Sequence, residues 1–440
     1  DVARPYGRYS PVSRVSPSTL EHRMYPKTKT SIRLRQAVLA AFLAGVNAGV
    51  YAQPEALPAN LKDVFDAAWA RQPESQALLM RRDAVQAQRR AAAAWTPEPP
   101  ALEISNKTDR LTRNDGAREL EAGIAIPLWL PGERSNSGAL ADAQTAAVES
   151  RVEAARLRLA ATVREAWWNW ERTRIDADIA RGQLDNARRI ATDVARRAKA
   201  GDLAQADQHQ ADGAVAAAEA AVAQAEAGAT TAQQQLKALT GSVALAAPTG
   251  TSPAEVEPTS SDMPIHPALN ELQDRAAVAE RTAALAAKQS RANPELTLST
   301  TRERGAFGER YDQAITVGIR IPFGAGPRHD SRVAAARADA VEAQAQFALD
   351  RARLQSEREA AEVRVNAART QLAAAERRAT LARETRGFFD KSFRLGETDL
   401  PTRLRIEAEA TEAERQAARS RIELASAIST WRQALGLLPQ

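Results

Sequence analysis

The sequence predicts a mainly α-helical chain that also carries membrane-capable β-hairpins, and two observations predict it. The first is an internal duplication at an offset of 195 residues. Gly123-Ile124-Ala125-Ile126-Pro127-Leu128 returns as Gly318-Ile319-Arg320-Ile321-Pro322-Phe323, Pro99 as Pro294, Gly201 as Gly396 and Gly241 as Gly436. Gly and Pro mark backbone geometry, so alanine-rich composition alone does not account for these matches. A period this long is one whole structural unit rather than a short solenoid repeat. The second observation is that each unit pairs alternating, strand-like segments with very long stretches free of Gly and Pro, such as 139–181 and 328–386.

The amino-terminal part supplies an address. Met24 is followed by Lys27, Lys29, Arg33 and Arg35, then by an apolar run from Ala37 to Ala52 that ends Val50-Tyr51-Ala52. This order of charge, apolar stretch and small residues is that of a secretory signal peptide. Residues 1–52 therefore read as an upstream extension plus signal peptide, Met24–Ala52. They carry eight Lys/Arg and two Asp/Glu, so the +5 of the whole chain leaves the part from Gln53 onward near −1. Nucleic-acid binding needs a retained basic footprint, and none is expected here. With no cysteine, a thiolate metal site or catalytic thiol is excluded.

The first repeat spans 53–241. It opens on a helix expected from Leu61 to Trp95, with Leu61, Val64, Phe65, Ala68 and Trp69 at helical spacing. A hairpin about 101–130 follows, turning through Asn114-Asp115-Gly116, a strong turn signal. Its second strand alternates: Leu120, Ile124 and Ile126 point one way, Glu119 and Glu121 the other. A long helical hairpin, about 133–240, completes the unit. At the standard rise its first arm would span ~100 Å, more than a compact domain holds.

A connector rich in Pro, Ser and Thr covers 242–266, and the second repeat, 267–440, runs through the same order: helix, hairpin about 295–323, long helical hairpin about 328–436. There Ile315, Val317, Ile319 and Ile321 alternate with Thr316 and Arg320. Leu424, Ile428, Trp431 and Leu435 are spaced four, three and four, a coiled-coil seam. Each second hairpin strand is about ten residues, enough to cross a bilayer as a tilted strand. Two isolated hairpins leave unpaired edges. Pooling hairpins from several chains into one closed barrel satisfies them, and Trp129, Tyr311 and Phe323 then lie near strand ends, where an aromatic girdle sits. The expected fold is thus an oligomeric α/β tube.

This layout, with its Gly-Ile-x-Ile-Pro strand ends, its Gly201 and Gly396 tips and the opening Leu61, Ala67-Ala68 and Gln72-Pro73, resembles the TolC-type outer-membrane factors of tripartite efflux systems. The resemblance covers the chain beyond the signal peptide. It implies a homotrimer with a shared 12-stranded barrel in the cell outer membrane and a periplasmic helical part. It also implies two partners, a periplasmic adaptor protein and an inner-membrane pump of the resistance-nodulation-division type. Within the family the chain is most similar to the subgroup serving heavy-metal cation pumps, for cobalt, zinc or cadmium, on overall likeness including Ile321-Pro322-Phe323-Gly324 and Pro327-Arg328. Family members often carry a lipidated cysteine after the signal peptide; Gln53 stands there, so no lipid anchor is expected.

A duct needs no nucleophile, base or cofactor, and no triad, phosphate loop or carboxylate pair is evident, so catalytic, cofactor and metal sites are all expected to be absent. His22, His209, His266 and His329 are scattered without ligand spacing. The residues with a stated role are therefore few. Leu120, Ile124, Ile126, Ile315, Val317, Ile319 and Ile321 should face lipid; Glu119, Glu121, Thr316 and Arg320 should face the lumen, since charge on a lipid face is costly. By the family resemblance, acids just past the tip glycine can ring a closed pore: Asp207 matches, Thr402 and Arg405 do not, and Glu397 and Asp399 stand closer to the tip. An acidic ring favours cations, while the competing use of Asp202 and Asp399 is to cap the returning helix. Gly201, Leu203, Gly396 and Leu400 mark the tip turns and the expected adaptor contact. Drugs, solvents or secreted peptides are the alternative cargo. A periplasmic adaptor is a lesser reading, because it has one helical hairpin within small β domains. A soluble coiled-coil scaffold leaves the signal peptide and the strands unexplained.

Overall fold

The computed structural model describes residues 60–241, 254–259, 265–324 and 326–440. The signal-peptide segment and most of the connector lie outside them. The elements are α1 (Leu61–Ala70), α2 (Pro73–Ala93), β1 (Ala101–Thr108), β2 (Arg118–Pro127), α3 (Glu133–Ala200), α4 (Gln205–Thr240), α5 (Pro267–Lys288), β3 (Glu295–Arg304), β4 (Asp312–Arg320), α6 (Gly326–Arg394) and α7 (Leu400–Ala434). The mainly helical class with a small sheet is as expected. No described helix is long and apolar enough to cross a membrane.

The opening helix is corrected: Leu61 to Trp95 is two helices. Pro73 occupies the first turn of α2, and Gln72 before it is extended at φ −70°, ψ 138°. Proline clashes with a helical residue ahead of it, so α1 stops at Arg71. The first strand ends at Thr108, well before the Asn114-Asp115-Gly116 turn. Asp109 then folds back, its Oδ2 accepting the Asp115 and Gly116 N–H groups at 2.6 and 3.1 Å. That closes a compact loop rather than extending the ladder.

The two hairpins join within one chain. β2 pairs antiparallel with β3, giving one sheet in the order β1-β2-β3-β4. A buried carboxylate sits beneath this junction. Glu133 accepts from the Leu130 N–H at 3.0 Å, from Gln289 Nε2 at 2.9 Å and from Asn293 Nδ2 at 2.7 Å. Asn293 also donates to the Leu128 carbonyl. Four acceptor sites on an ionised carboxylate can hold such a cluster, and here it ties the foot of the second hairpin to the start of α3.

Both long helices end on glycine. Gly201 adopts φ +88°, and the N–H groups of Gly201 and Asp202 return to the Ala198 and Arg197 carbonyls, satisfying the last turn. The α4 and α7 arms then return along α3 and α6. α1 packs Leu61, Val64, Phe65 and Ala68 against Val163, Trp167 and Trp168 of α3, Leu236 of α4 and Ile422 of α7. Trp168 Nε1 donates to Ser429 Oγ at 2.8 Å, so the buried indole keeps a partner. Farther down, the α6/α7 seam is alanine: Ala375, Ala379, Ala413 and Ala417. Small seam residues let the backbones approach closely. Between the repeats, Arg419 of α7 pairs bidentately with Asp176 of α3 at 2.9 and 3.0 Å.

Residues 254–259 strap this level. Glu255 is buried and accepts a two-pronged contact from Arg164 of α3, at 2.9 Å from Nε and 2.7 Å from Nη2. Arg432 of α7 lies 3.3 Å away on the other side and donates to the Val256 carbonyl. Glu257 turns outward to Arg369 of α6.

His266 gives the fold a pH signature. It caps α5, its Nδ1 accepting the Ala268 N–H at 3.3 Å. Burial holds the imidazole pKa below its usual value, against the opposing pull of a backbone hydrogen bond at Gln433 and of the Glu357 charge. The folded state thus favours the neutral ring. Its contribution is complete above pH about 6.5 and is lost as pH falls through the lower folded pKa. We expect the urea midpoint to fall between pH 7 and 5.5. His266→Asn, which keeps a capping acceptor, should flatten that dependence; an unchanged slope refutes the assignment.

Candidate functional site: the sheet faces and the helical tip

Strand register sorts the side chains onto two faces of opposite character. Leu102 pairs with Ile124, Ile124 with Leu298 and Leu298 with Val317; Ile126 pairs with Leu296 and Leu296 with Ile319. Leu120 and Ile315 share that face by alternation, and Ile321 follows β4. This apolar face is open: Leu102 and Val317 are each about 70% exposed, and Ile315 more so. Monomeric soluble proteins rarely expose so continuous an apolar surface.

The other face carries Glu119, Glu121, Thr316 and Arg320. Glu121 pairs with Thr301, Thr316 with Ser299, and Arg320 with Glu295. It also carries Gly123 and Gly318. A Cβ at Gly123 would stand 2.8 Å from Ser299 Cβ, and one at Gly318 2.8 Å from Thr297 Oγ1. Opposed strands therefore leave no room for a side chain at these two positions of the polar face. β1 and β4 are the outer strands, and within the described chain their outer ladders are unpaired.

Aromatic side chains mark both ends of the sheet. Tyr311 and Phe307 lie at the loop end, and Phe323 and Trp95 are almost fully exposed at the helical end. Trp129 is half-buried there, donating to the Ala94 carbonyl. Trp95 escaped the sequence reading because it sits at a helix end, outside any strand pattern.

The tip is held by one aromatic. Phe393 of α6 is 1% exposed and clusters with Ile190, Val194, Ala211 and Leu400, with Leu203 against them. Arg197 and Arg403 stand over its ring at 4.9 and 4.7 Å, and Arg197 Nη1 donates to its carbonyl at 3.1 Å. Leu400 and Leu203 are thus spent on the chain's own packing, Leu400 completely; the exposed end is made by Gly201, Leu395 and Gly396. Nothing fills the space beside Gly201 or Gly396, so only their positive φ constrains them. Gly201→Ala should cost about 1–2 kcal/mol through left-handed backbone strain, read as faster amide exchange in the tip turns; Gly201→Asn should cost less.

The acids near the tip close on their own helix starts. Asp207 Oδ2 accepts the Ala204 N–H at 3.1 Å. Asp399 Oδ1 accepts the Thr402 N–H at 3.2 Å, and bonding to Thr402 holds its carboxyl below its usual pKa. The α4 cap residue is Ala204, not Asp202. Glu397 is exposed. Asp207 and Asp399 belong to different hairpins, and nothing in one chain joins them into a ring. Among the described residues no cluster of His, Asp or Glu could hold a metal ion.

Residues 64–242 match the family model of the outer membrane efflux proteins. The match covers most of the first repeat. The fold of both repeats is similar to that of solved outer membrane proteins. The outer membrane protein VceC of Vibrio cholerae superposes with a TM-score of 0.69 at 18% identity, over 86% of this chain and 96% of its own. CusC, whose structures concern folding and transmembrane channel formation, gives 0.71 at 16% identity, over 86% and 92%. The CmeC outer membrane channel of Campylobacter jejuni gives 0.68 at 16%, over 86% and 85%. No curated protein sequence matches significantly. The outer membrane efflux family and these neighbours are channel proteins, not enzymes.

Proposed function

We propose that three copies of this chain close a 12-stranded barrel in the outer membrane and continue it as a helical tube through the periplasm. The tube is the passive exit duct of a tripartite efflux system, driven by an inner-membrane resistance-nodulation-division pump through a periplasmic adaptor. The observation that carries this reading is the four-stranded sheet with one exposed apolar face, one polar face and two open edges. Closure pairs β4 of each copy with β1 of the next, and barrel closure is the way a sheet satisfies its edges in lipid. Lipid then contacts Leu120, Ile124, Ile126, Ile315, Val317, Ile319 and Ile321. Glu119, Glu121, Thr316 and Arg320 line the lumen. The exposed tip around Gly201, Leu395 and Gly396 is the docking end for the adaptor, with Asp207, Glu397 and Asp399 as the constriction candidates.

The absence of cysteine makes the closure directly testable. In a chain carrying one cysteine at Ser105 or Glu103 in β1 and one at Thr316 in β4, the β1 cysteine should cross-link to the β4 cysteine of a neighbouring copy. Oxidation should yield a covalent trimer in outer-membrane fractions, and ladders beyond three or none at all overturn the three-fold barrel.

The cargo proposed is divalent heavy-metal cations, supported by the sequence likeness around Ile321-Pro322-Phe323-Gly324. A conduit need not bind its ion tightly, since conduction requires release. A deletion strain should become sensitive to cobalt, zinc, cadmium or nickel salts and recover on complementation. Sensitivity to drugs or solvents alone would keep the duct and remove the metal assignment.

A further inference from the structure

We propose that the loop end of the apolar face is a binding site for the phosphate groups of lipid headgroups, built from Arg118, Arg302 and Arg304. The inference rests on the barrel reading above and adds a ligand class and residues to it. Register places Arg118 directly opposite Arg304, and Leu120 opposite Arg302. All three arginines therefore stand on the same face as Ile124, Leu298 and Val317, in the two rows nearest the loops. Guanidinium groups directly opposed across a ladder repel one another. Among the described residues none of the three forms an ion pair that would relieve the repulsion. The neighbours on that face, Thr108, Asn106 and Gln313, are neutral.

The acids of the region are turned elsewhere. Glu119 and Glu303 oppose each other on the polar face, with Lys107 3.1 Å from Glu119. Asp109 is occupied by the N–H groups of its own loop, and Glu309 by those of Gly305 and Ala306. On the strands at this end, Glu119, Glu303 and Asp312 share the polar face with Lys107, while the three arginines stand on the other face. Tyr311 orders the basic side: Arg302 and Arg304 lie over its ring at 4.6 and 5.0 Å. Cation–π contact leaves the guanidinium N–H edges free to donate, and those edges match phosphate oxygens in two-pronged geometry. In a barrel this row lies just above the hydrocarbon, at the depth of lipid phosphates. An anion there neutralises the opposed pair.

Arg304 also donates to the Gly116 carbonyl at 3.0 Å, so its replacement disturbs the loop. The test variant is therefore R118Q/R302Q, with R320Q on the polar face as control. Purified full-length protein in neutral detergent is titrated with lipid A, a bisphosphorylated glycolipid, and binding is read by native mass spectrometry. Wild type and R320Q should bind; R118Q/R302Q should bind roughly thirtyfold more weakly, at about fivefold per arginine. Dephosphorylated lipid A should not discriminate the variants, and inorganic phosphate at equal concentration should not compete. Equal lipid A binding by R118Q/R302Q overturns the site, as does competition by free phosphate. Insertion into phosphatidylcholine vesicles is measured alongside. Both proteins inserting while lipid A affinity is unchanged refutes the arginine site alone; neither inserting refutes the barrel. Should R118Q/R302Q not assemble, R118K/R302K, which keeps charge but not the paired donors, should show an intermediate affinity.

Discussion

Leu298→Arg should abolish the assembled membrane form. Leu298 lies between Ile124 and Val317 at mid-height of the apolar face, where an arginine in a lipid-facing position costs about 2–4 kcal/mol. In the proposed trimer the cost is repeated three times, so roughly 6–12 kcal/mol falls on one assembly. That rivals the whole stability of an ordinary domain. Thr316→Arg, one residue along from Val317 and on the polar face, should assemble normally. The measurement is the fraction of heat-labile trimer in outer-membrane extracts. Equal loss from both variants would overturn the assignment of the apolar face, and not the polar one, to lipid.

Glu255→Leu should cost the folded chain about 3–5 kcal/mol, because it leaves Arg164 and Arg432 buried without their carboxylate. The pair need not be strongly stabilising in itself, since desolvation offsets much of its attraction. Removing one partner is what is expensive. Gln433 Oε1, 2.6 Å from Arg164, and the Leu437 carbonyl at 3.0 Å retain part of the contact, so the lower end of the range is favoured. Denaturant unfolding of the detergent-solubilised protein measures it. A companion variant, R164L/E255L/R432L, should recover much of the loss. If Glu255→Leu alone costs under 1 kcal/mol, the strap is not part of the folded core.

These two effects differ in how visible their causes are in the chain. The alternation of Leu120, Ile124 and Ile126 against Glu119 and Glu121 is a local property. Side chains on a strand alternate with period two, so the faces separate before any partner strand is known. The tips at Gly201 and Gly396 are equally local, because a left-handed residue ending a long helix favours glycine. The length of α3 follows from the absence of Gly and Pro over most of its span. Even the break at Pro73 was written in the sequence; helical periodicity running through it hid the stop.

The pairing of β2 with β3 was not legible. The two strands are separated by more than 160 residues, and alternation fixes which way a side chain points without fixing what stands beside it. For the same reason Arg118 and Arg304 become neighbours only once the register is set. Glu255 looked like one acid in a Pro-rich connector, and its burial between two helices of different repeats is a consequence of their packing. The family resemblance makes Asp207 and Asp399 constriction candidates, and the structure adds that each carboxylate also closes on a backbone N–H at the start of its own helix, a local contact that costs little chain entropy. By itself the sequence determined the repeat, the long arms and the two faces, all set by periodicity and backbone geometry. The tertiary structure alone decided the joined sheet, the buried Arg–Glu–Arg strap and the basic collar, since each depends on contacts between residues far apart in the chain.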